Sequence, residues 1–265
     1  MIFDNLLYSV DDAVAHIVLN RPEKRNAIDQ AMIDDLHRAM DALETDANVR
    51  VAILSGAGGK AFAAGADIAQ LRERGAAEAL QIINARLFQR VEDLPCPTIA
   101  AITGYALGGG CELAMACDLR VAGRSAKLGQ PEVALGIIPA AGGTQRLPRL
   151  VGIGRARDII FTGRLVDAEE AERIGLVNRL VDDENVLDAA EELAAQIARQ
   201  GGLAVRMAKI ALNTSSRAGH QTGALVEQLA QAVLFESQDK LDRMGAFLES
   251  KEKRRQAKAK EQASE

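Results

Sequence analysis

Tryptophan is absent from this chain, and two tyrosines and six phenylalanines are its only aromatics among 265 residues. Cysteine and histidine are scarce. Cys96, Cys111 and Cys117 show no Cys-x-x-Cys spacing, and His16, His37 and His220 show no His-x-x-x-His spacing. These absences exclude a disulfide framework and the familiar metal-site signatures, and they fit a reducing, cytoplasmic setting. Positive charge is not in excess either. Lys and Arg number 32 against 37 Asp and Glu, a formal net charge of −5, which argues against a nucleic-acid partner. No apolar run is long enough to span a membrane: the longest mostly apolar stretch, residues 94–117, is broken by Pro95, Pro97, Gly104, the glycines 108–110 and Glu112. The opening residues, Met1-Ile2-Phe3-Asp4, carry an early acid and no basic region, so no signal peptide is read there.

What fills the chain instead is small. Alanine is the commonest residue and glycine adds 23 positions, within an ordinary globular composition of 48% hydrophobic and 26% charged residues. A core of this kind lets backbones approach each other, or a ligand, closely. A chain of this length buries about three quarters of its unfolded surface and needs no disulfide or metal to hold a core. β-Branched runs at 14–19, 49–54 and 98–102, each followed by a loop and then a helical pattern, predict an α/β layer architecture. The first helix follows Asp29 as N-cap, with Met32, Ile33, Leu36, Met40 and Leu43 at helical spacing, and a second runs over about 76–91. The strand, loop and helix rhythm is too degenerate to count as a sequence repeat. After Ile137 helical patterns take over, at 155–161, 168–174, 186–198, 203–213 and 225–235. Gly201-Gly202 divides the chain into a core, residues 1–200, and a helical region, residues 201–265. In the latter, Leu225, Leu229, Val233, Met244, Phe247 and Leu248 need a covering surface, for which a neighbouring subunit is one candidate. The charged tail from Lys251 reads as a solvated helix end.

Two segments place glycine beside apolar strands and then a single acid. The first is Ala61-Phe62-Ala63-Ala64-Gly65-Ala66-Asp67-Ile68; the second is Gly104-Tyr105-Ala106-Leu107-Gly108-Gly109-Gly110-Cys111-Glu112-Leu113. The second glycine run opens an apolar helix, whose first N–H groups point at whatever lies before it. Should an N–H from the Ala66 loop converge there, the pair forms an oxyanion hole able to hold an enolate. Close packing of helix on strand explains the same glycines without any chemistry. Glu112 sits among Leu113, Ala114 and Met115, where a carboxylate is costly to bury without a role or a partner. Glu132, in Gly129-Gln130-Pro131-Glu132, is a second lone acid ahead of an apolar run. Each fits either a helix-start acid or one member of a general acid and base pair at a double bond.

Taken together with Asn20-Arg21-Pro22, Asn26-Ala27 and Gly142-Gly143-Thr144-Gln145-Arg146-Leu147, these motifs resemble, in order and spacing, the enoyl-CoA hydratase/isomerase (crotonase) family over nearly the whole chain. The resemblance implies an α/β fold: a crotonase-like spiral of ββα turns followed by a helical C-terminal region that builds trimers, which pair into hexamers. It implies an acyl-CoA thioester as substrate, with coenzyme A entering as part of that substrate, no other cofactor and no metal. Carried onto this sequence, the N–H groups of Ala66 and Gly109 hold the thioester oxygen, Glu112 helps activate water, and Glu132 exchanges a proton with water and the α-carbon. Contacts to the coenzyme fall at Lys24, Arg25, Ala64, Ala66, Asp67, Ile68, Ala69, Gly108 and Gly109. The implied reaction is hydration of a 2-enoyl-CoA, with Δ3-Δ2-enoyl-CoA isomerisation or another acyl-CoA reaction of the family as the alternative. One departure stands out: Ala140 occupies the glycine position of the loop Ile138-Pro139-Ala140-Ala141-Gly142-Gly143, and alanine resists positive φ, so a shifted water is expected. Of the remaining residues, Cys111 reads as a small buried hydrophobe, His16 as a core histidine, Asp67 as a helix cap, and Arg146 and Arg149 as loop anchors or solvated charges.

Overall fold

The computed structural model describes residues 2–73 and 75–262. Its contacts separate into two compact units, one up to residue 199 and one from residue 200 onward.

Among the described residues the first unit contains ten strands: β1 Leu6–Asp11, β2 Val14–Leu19, β3 Val51–Gly56, β4 Ala61–Ala63, β5 Thr98–Ile102, β6 Tyr105–Leu107, β7 Leu119–Gly123, β8 Lys127–Gly129, β9 Leu165–Asp167 and β10 Arg179–Val181. They form two sheets. The larger has the order β1-β2-β3-β5-β7-β10, parallel except for the β1/β2 hairpin, and the smaller has the order β4-β6-β8-β9, with β9 antiparallel. The pairs β3-β4, β5-β6 and β7-β8 each give one strand to either sheet before helical segments follow, so the chain winds in ββα turns. The helices of this unit are α1 Gln30–Thr45, α2 Ile68–Glu73, α3 Ala76–Ala79, α4 Ile83–Asp93, α5 Gly109–Ala116, α6 Gly143–Val151, α7 Ile153–Thr162, α8 Ala168–Arg173 and α9 Val186–Ala198.

Both faces of the larger sheet are covered, as parallel sheets require. Ala52 and Leu54 of β3 face the main core with Phe62, Leu87 and Phe88, whereas Val51 and Ile53 face a second cluster that includes Ala190 and Ala194 of α9. Helix α1 starts as its sequence predicts: the Asp29 carboxylate accepts the Met32 N–H at 3.0 Å, and Met32, Ile33, Leu36, Met40 and Leu43 are buried. His16 departs from expectation. It lies on the half-buried side of β2, where the pleat alternates it with the core residues Ala15 and Ile17. Strand β3 begins at Val51, because the Val49 N–H is engaged by the Asp46 carbonyl in the turn after α1. The helix expected over 76–91 is broken into α3 and α4, with Ile82 between them at φ 47°.

The second unit consists of α10 Gly202–Ser215, α11 His220–Phe235 and α12 Gln238–Gln262. Its apolar side chains are largely uncovered: Leu229 is 61% and Phe247 69% exposed, and Leu225, Val233, Met244 and Leu248 are more than half exposed. No helix among the described residues is long and apolar enough to cross a membrane.

Candidate active site

The loop after β4 is tied to the turn that precedes α1. Ala64 donates its N–H to the Arg25 carbonyl at 3.0 Å, and Gly65 accepts the Ile28 N–H at 2.9 Å. Buried Asn26, itself in the left-handed region, secures that turn: its Nδ2 donates to the Ala57 and Ala61 carbonyls at 3.0 and 2.8 Å, and its Oδ1 accepts the Arg21 N–H at 3.0 Å. Gly65 bends at φ 99°, where a Cβ would come within 3.1 Å of the Leu107 carbonyl, and the bend brings Ala66 opposite the start of α5. Helix α5 opens at Gly109, so the Gly109 N–H is one of the first-turn donors that the helix itself does not pair. A Cβ on Gly109 would lie 3.8 Å from the Ala66 nitrogen. One residue on, a Cβ on Gly110 would collide with the Ala63 carbonyl. Small residues are therefore a steric condition for bringing the Ala66 and Gly109 amides together.

Glu112 is the fourth residue of α5 and only 3% exposed. Its Oε1 accepts two backbone N–H groups, from Ala141 and Gly143, each at 2.7 Å. Both belong to a loop that turns through Gly142 at φ 109°. Arg146 clamps that loop. Its guanidinium donates to the Ala141 carbonyl at 3.0 Å and pairs with Glu92 of α4 at 2.7 Å. Burial pushes the Glu112 carboxyl above the ordinary carboxylate range, while the two amides and the positive charge of Arg146 pull it back. Ala140 does not strain this loop, because its φ is not positive; the left-handed turn is taken at Gly142. The structure thus gives the Ala140 departure no backbone consequence.

Glu132 lies in the 3₁₀ turn Pro131–Leu135, and its Oε1 comes within 3.1 Å of the position a Cβ on Gly108 would take. Burial, with the negative charge of Glu112 adding to it, raises its carboxyl to about 7, against a smaller lowering by its own backbone N–H. The fully buried Gln130 amide lies against it. With its nitrogen toward the carboxylate, Gln130 donates to both Glu132 oxygens, at 3.0 and 3.2 Å. Gly108, Gly109, Ala66, Glu112 and Glu132 are therefore brought to one place. An electron-rich oxygen held by the two amides would have an amide-cradled acid and a protonatable acid beside it.

The other sequence-predicted residues fall around this centre. Lys24 and Arg25 are exposed on the turn joined to Ala64 and Gly65. Asp67 caps α2, accepting the Gln70 N–H at 3.3 Å, and Ile68 is exposed. Ala69 lies in α2, with its side chain outside the described residues. Cys111 is buried, and burial pushes its thiol up to about 12, which makes it inert as a nucleophile. Arg146 anchors the loop, and Arg149 is exposed. Asn26 and Gln130 carry structural roles that sequence reasoning missed. A local signal existed for Asn26, since asparagine is enriched in left-handed turns, whereas the two-residue step from Gln130 to Glu132 carries no periodic signal of contact.

A family model described as enoyl-CoA hydratase/isomerase matches residues 9–258. The chain is 41% identical over 253 residues to a crotonyl-CoA hydratase from Syntrophomonas wolfei, covering 95% of this chain and 97% of that protein. It is equally similar, over the same shares, to a short-chain-enoyl-CoA hydratase from Clostridium acetobutylicum. Among solved structures, an enoyl-CoA hydratase from Bacillus anthracis superposes with a TM-score of 0.90 at 41% identity, covering 93% of this chain and 97% of the other.

Proposed function

The chain belongs to the enoyl-CoA hydratase/isomerase family, and from that premise we propose that it is an enoyl-CoA hydratase. It adds water reversibly across the double bond of a trans-2-enoyl-CoA to give the 3-hydroxyacyl-CoA. The observation that carries this reading is the pair of acids in unlike surroundings beside two converging amides. Hydration needs one group to hold the water and another to deliver a proton, whereas isomerisation needs only a single proton shuttle.

In the proposed mechanism the thioester oxygen accepts the Ala66 and Gly109 N–H groups. Water bonds through its oxygen to C3 while the π electrons move toward the thioester oxygen, giving an enolate that the two donors stabilise. Glu112, held as an anion by the Ala141 and Gly143 amides, accepts a hydrogen bond from the water and orients it. Glu132, whose raised carboxyl keeps a substantial protonated fraction near pH 7, gives its proton to C2 and takes one from the water, so it ends as it began. Each backbone donor contributes roughly 10²- to 10³-fold in rate.

Lys24 and Arg25 meet the anionic coenzyme, whose thioester arm passes Ala64, Ala66, Asp67, Ile68, Ala69, Gly108 and Gly109. A net charge of −5 leaves this attraction to local cations. The names of the relatives favour short acyl chains. The exposed apolar residues of α11 and α12 are covered by further copies of the chain, in a trimer or in a hexamer of paired trimers. Three cysteines that are buried and form no disulfide favour a cytoplasmic setting.

The direct test offers the protein crotonyl-CoA and follows the loss of the conjugated enoyl absorbance, with a 3-enoyl-CoA in parallel. Loss with crotonyl-CoA is expected; gain from the 3-enoyl substrate alone would make the protein an isomerase. For the assembly, Leu229→Glu is expected to turn a trimer or hexamer into monomers by light scattering, and an unchanged mass would remove this face from the interface.

A further inference from the structure

Asn84 stands beside the two amides and has no part in the mechanism above. It is the second residue of α4, close after Ile82, whose φ of 47° is a conformation that β-branched residues rarely adopt. Its Nδ2 is 4.0 Å from the position a Cβ on Gly109 would occupy, and the same position is 3.8 Å from the Ala66 nitrogen. The side chain that Gly109 lacks thus leaves a space bordered by three nitrogen donors: Ala66 N–H, Gly109 N–H and the Asn84 amide. The Oδ1 of Asn84 is buried with no hydrogen-bond partner among the described residues. Buried acceptors are nearly always paired, so this one calls for a reason. Turning the amide over would exchange its two ends and set an acceptor toward the backbone donors. The orientation present leaves Oδ1 without a partner and keeps donors facing one space. Donors gathered without an acceptor are arranged for one that arrives with the substrate.

We propose that Asn84 Nδ2–H is a third donor to the thioester oxygen, completing an oxyanion hole otherwise made of backbone. This rests on the acyl-thioester reading of the site and deepens it. A saturated thioester separates the two, because it occupies the hole without being hydrated.

The experiment binds butyryl-CoA carrying ¹³C at the thioester carbonyl and reads the carbonyl stretch by difference infrared spectroscopy, in the parent and in Asn84→Leu. The parent band is expected to lie below its position in water. Asn84→Leu is expected to return part of that shift and to lower kcat for crotonyl-CoA about 10- to 100-fold, with KM within about threefold. Asn84→Ser, a smaller change, repeats the measurement should the leucine variant fail to fold. An unmoved band with kcat within about twofold of the parent would overturn the proposal. So would a loss confined to longer acyl chains with the band unmoved, which would make Asn84 a wall of the acyl channel. A parent that shifts the band yet hydrates nothing would overturn the hydratase reading alone, with the band still deciding the role of Asn84. A parent that shifts no band would overturn the role given to Asn84, with crotonyl-CoA hydration still deciding the hydratase reading.

Discussion

Glu112 and Glu132 are carboxyls withdrawn from water beside the same pair of amides, yet the regions around them treat charge differently. Glu112 is cradled by a loop that aims two N–H groups at one oxygen and is braced by the Arg146–Glu92 pair. Glu132 rides on a short turn, with its own backbone N–H and the Gln130 amide for company. Burial raises both carboxyls, but at Glu112 the amides and Arg146 oppose it, whereas at Glu132 the rise carries to about 7. In the proposed mechanism the first setting favours the anion and the second favours the proton. The division of labour is written in the neighbouring loops, since the two side chains are chemically the same.

The comparison breaks most directly at the acids themselves. Glu112→Ala and Glu132→Ala are each expected to lower kcat for crotonyl-CoA hydration roughly 10²- to 10⁴-fold; a variant retaining activity within tenfold would remove that acid from the mechanism. Next comes the brace. Arg146→Met is expected to reduce kcat about 10- to 100-fold. Without that positive charge the Glu112 carboxyl rises, so the acidic limb of the pH profile moves to higher pH. The basic limb, set by loss of the Glu132 proton near pH 7, stays in place. Both limbs moving together would mean that the two acids are not separately supported.

Stability sharpens the contrast with opposite signs. Glu112→Ala leaves the Ala141 and Gly143 N–H groups buried without their acceptor, a loss of about 2–4 kcal/mol in denaturant unfolding. For Glu132, a folded-state value raised from 4.5 to about 7 means that its contribution is fully present below pH 4.5 and is lost as pH rises through 7. Glu132→Gln is therefore expected to raise stability at pH 8 by about 1–2 kcal/mol, solvent screening of the half-buried group limiting the gain, and to make no difference near pH 4. Destabilisation at pH 8 would contradict the raised value. The smallest effect is expected at Ala140, where Ala140→Gly changes kcat by less than about twofold because the loop takes its left-handed turn at Gly142.

The alternation of strand and helix and the motif-bearing residues were legible because they depend on local order: a β-branched run, a glycine step, an acid near a helix start; the ββα winding itself came only through the family resemblance. Asp29 as N-cap and the buried stripe of α1 are local in the same sense. Strands β4, β6, β8, β9 and β10 are three residues long and present no period to read. The break at Ile82 and the half-buried setting of His16 are set by tertiary packing. In the site, Glu112 could be singled out from its apolar neighbours, but its cradle lies 29 and 31 residues away, and the brace from Arg146 to Glu92 spans 54. Pairings of that range leave no trace in spacing.

The amides of Ala66 and Gly109 have one more consequence, which concerns inheritance. Almost any residue at these positions still offers an N–H, so a point mutation rarely deletes the donor itself. The flanking glycines are guarded by geometry, Gly110 by the Ala63 carbonyl and Gly108 by a φ of 52°. The acids, by contrast, are each one codon change from a different chemistry. Under the proposed mechanism, a lineage with this architecture could lose or replace Glu112 or Glu132 and still stabilise an enolate, which would channel diversification toward the acids while the paired amides endure.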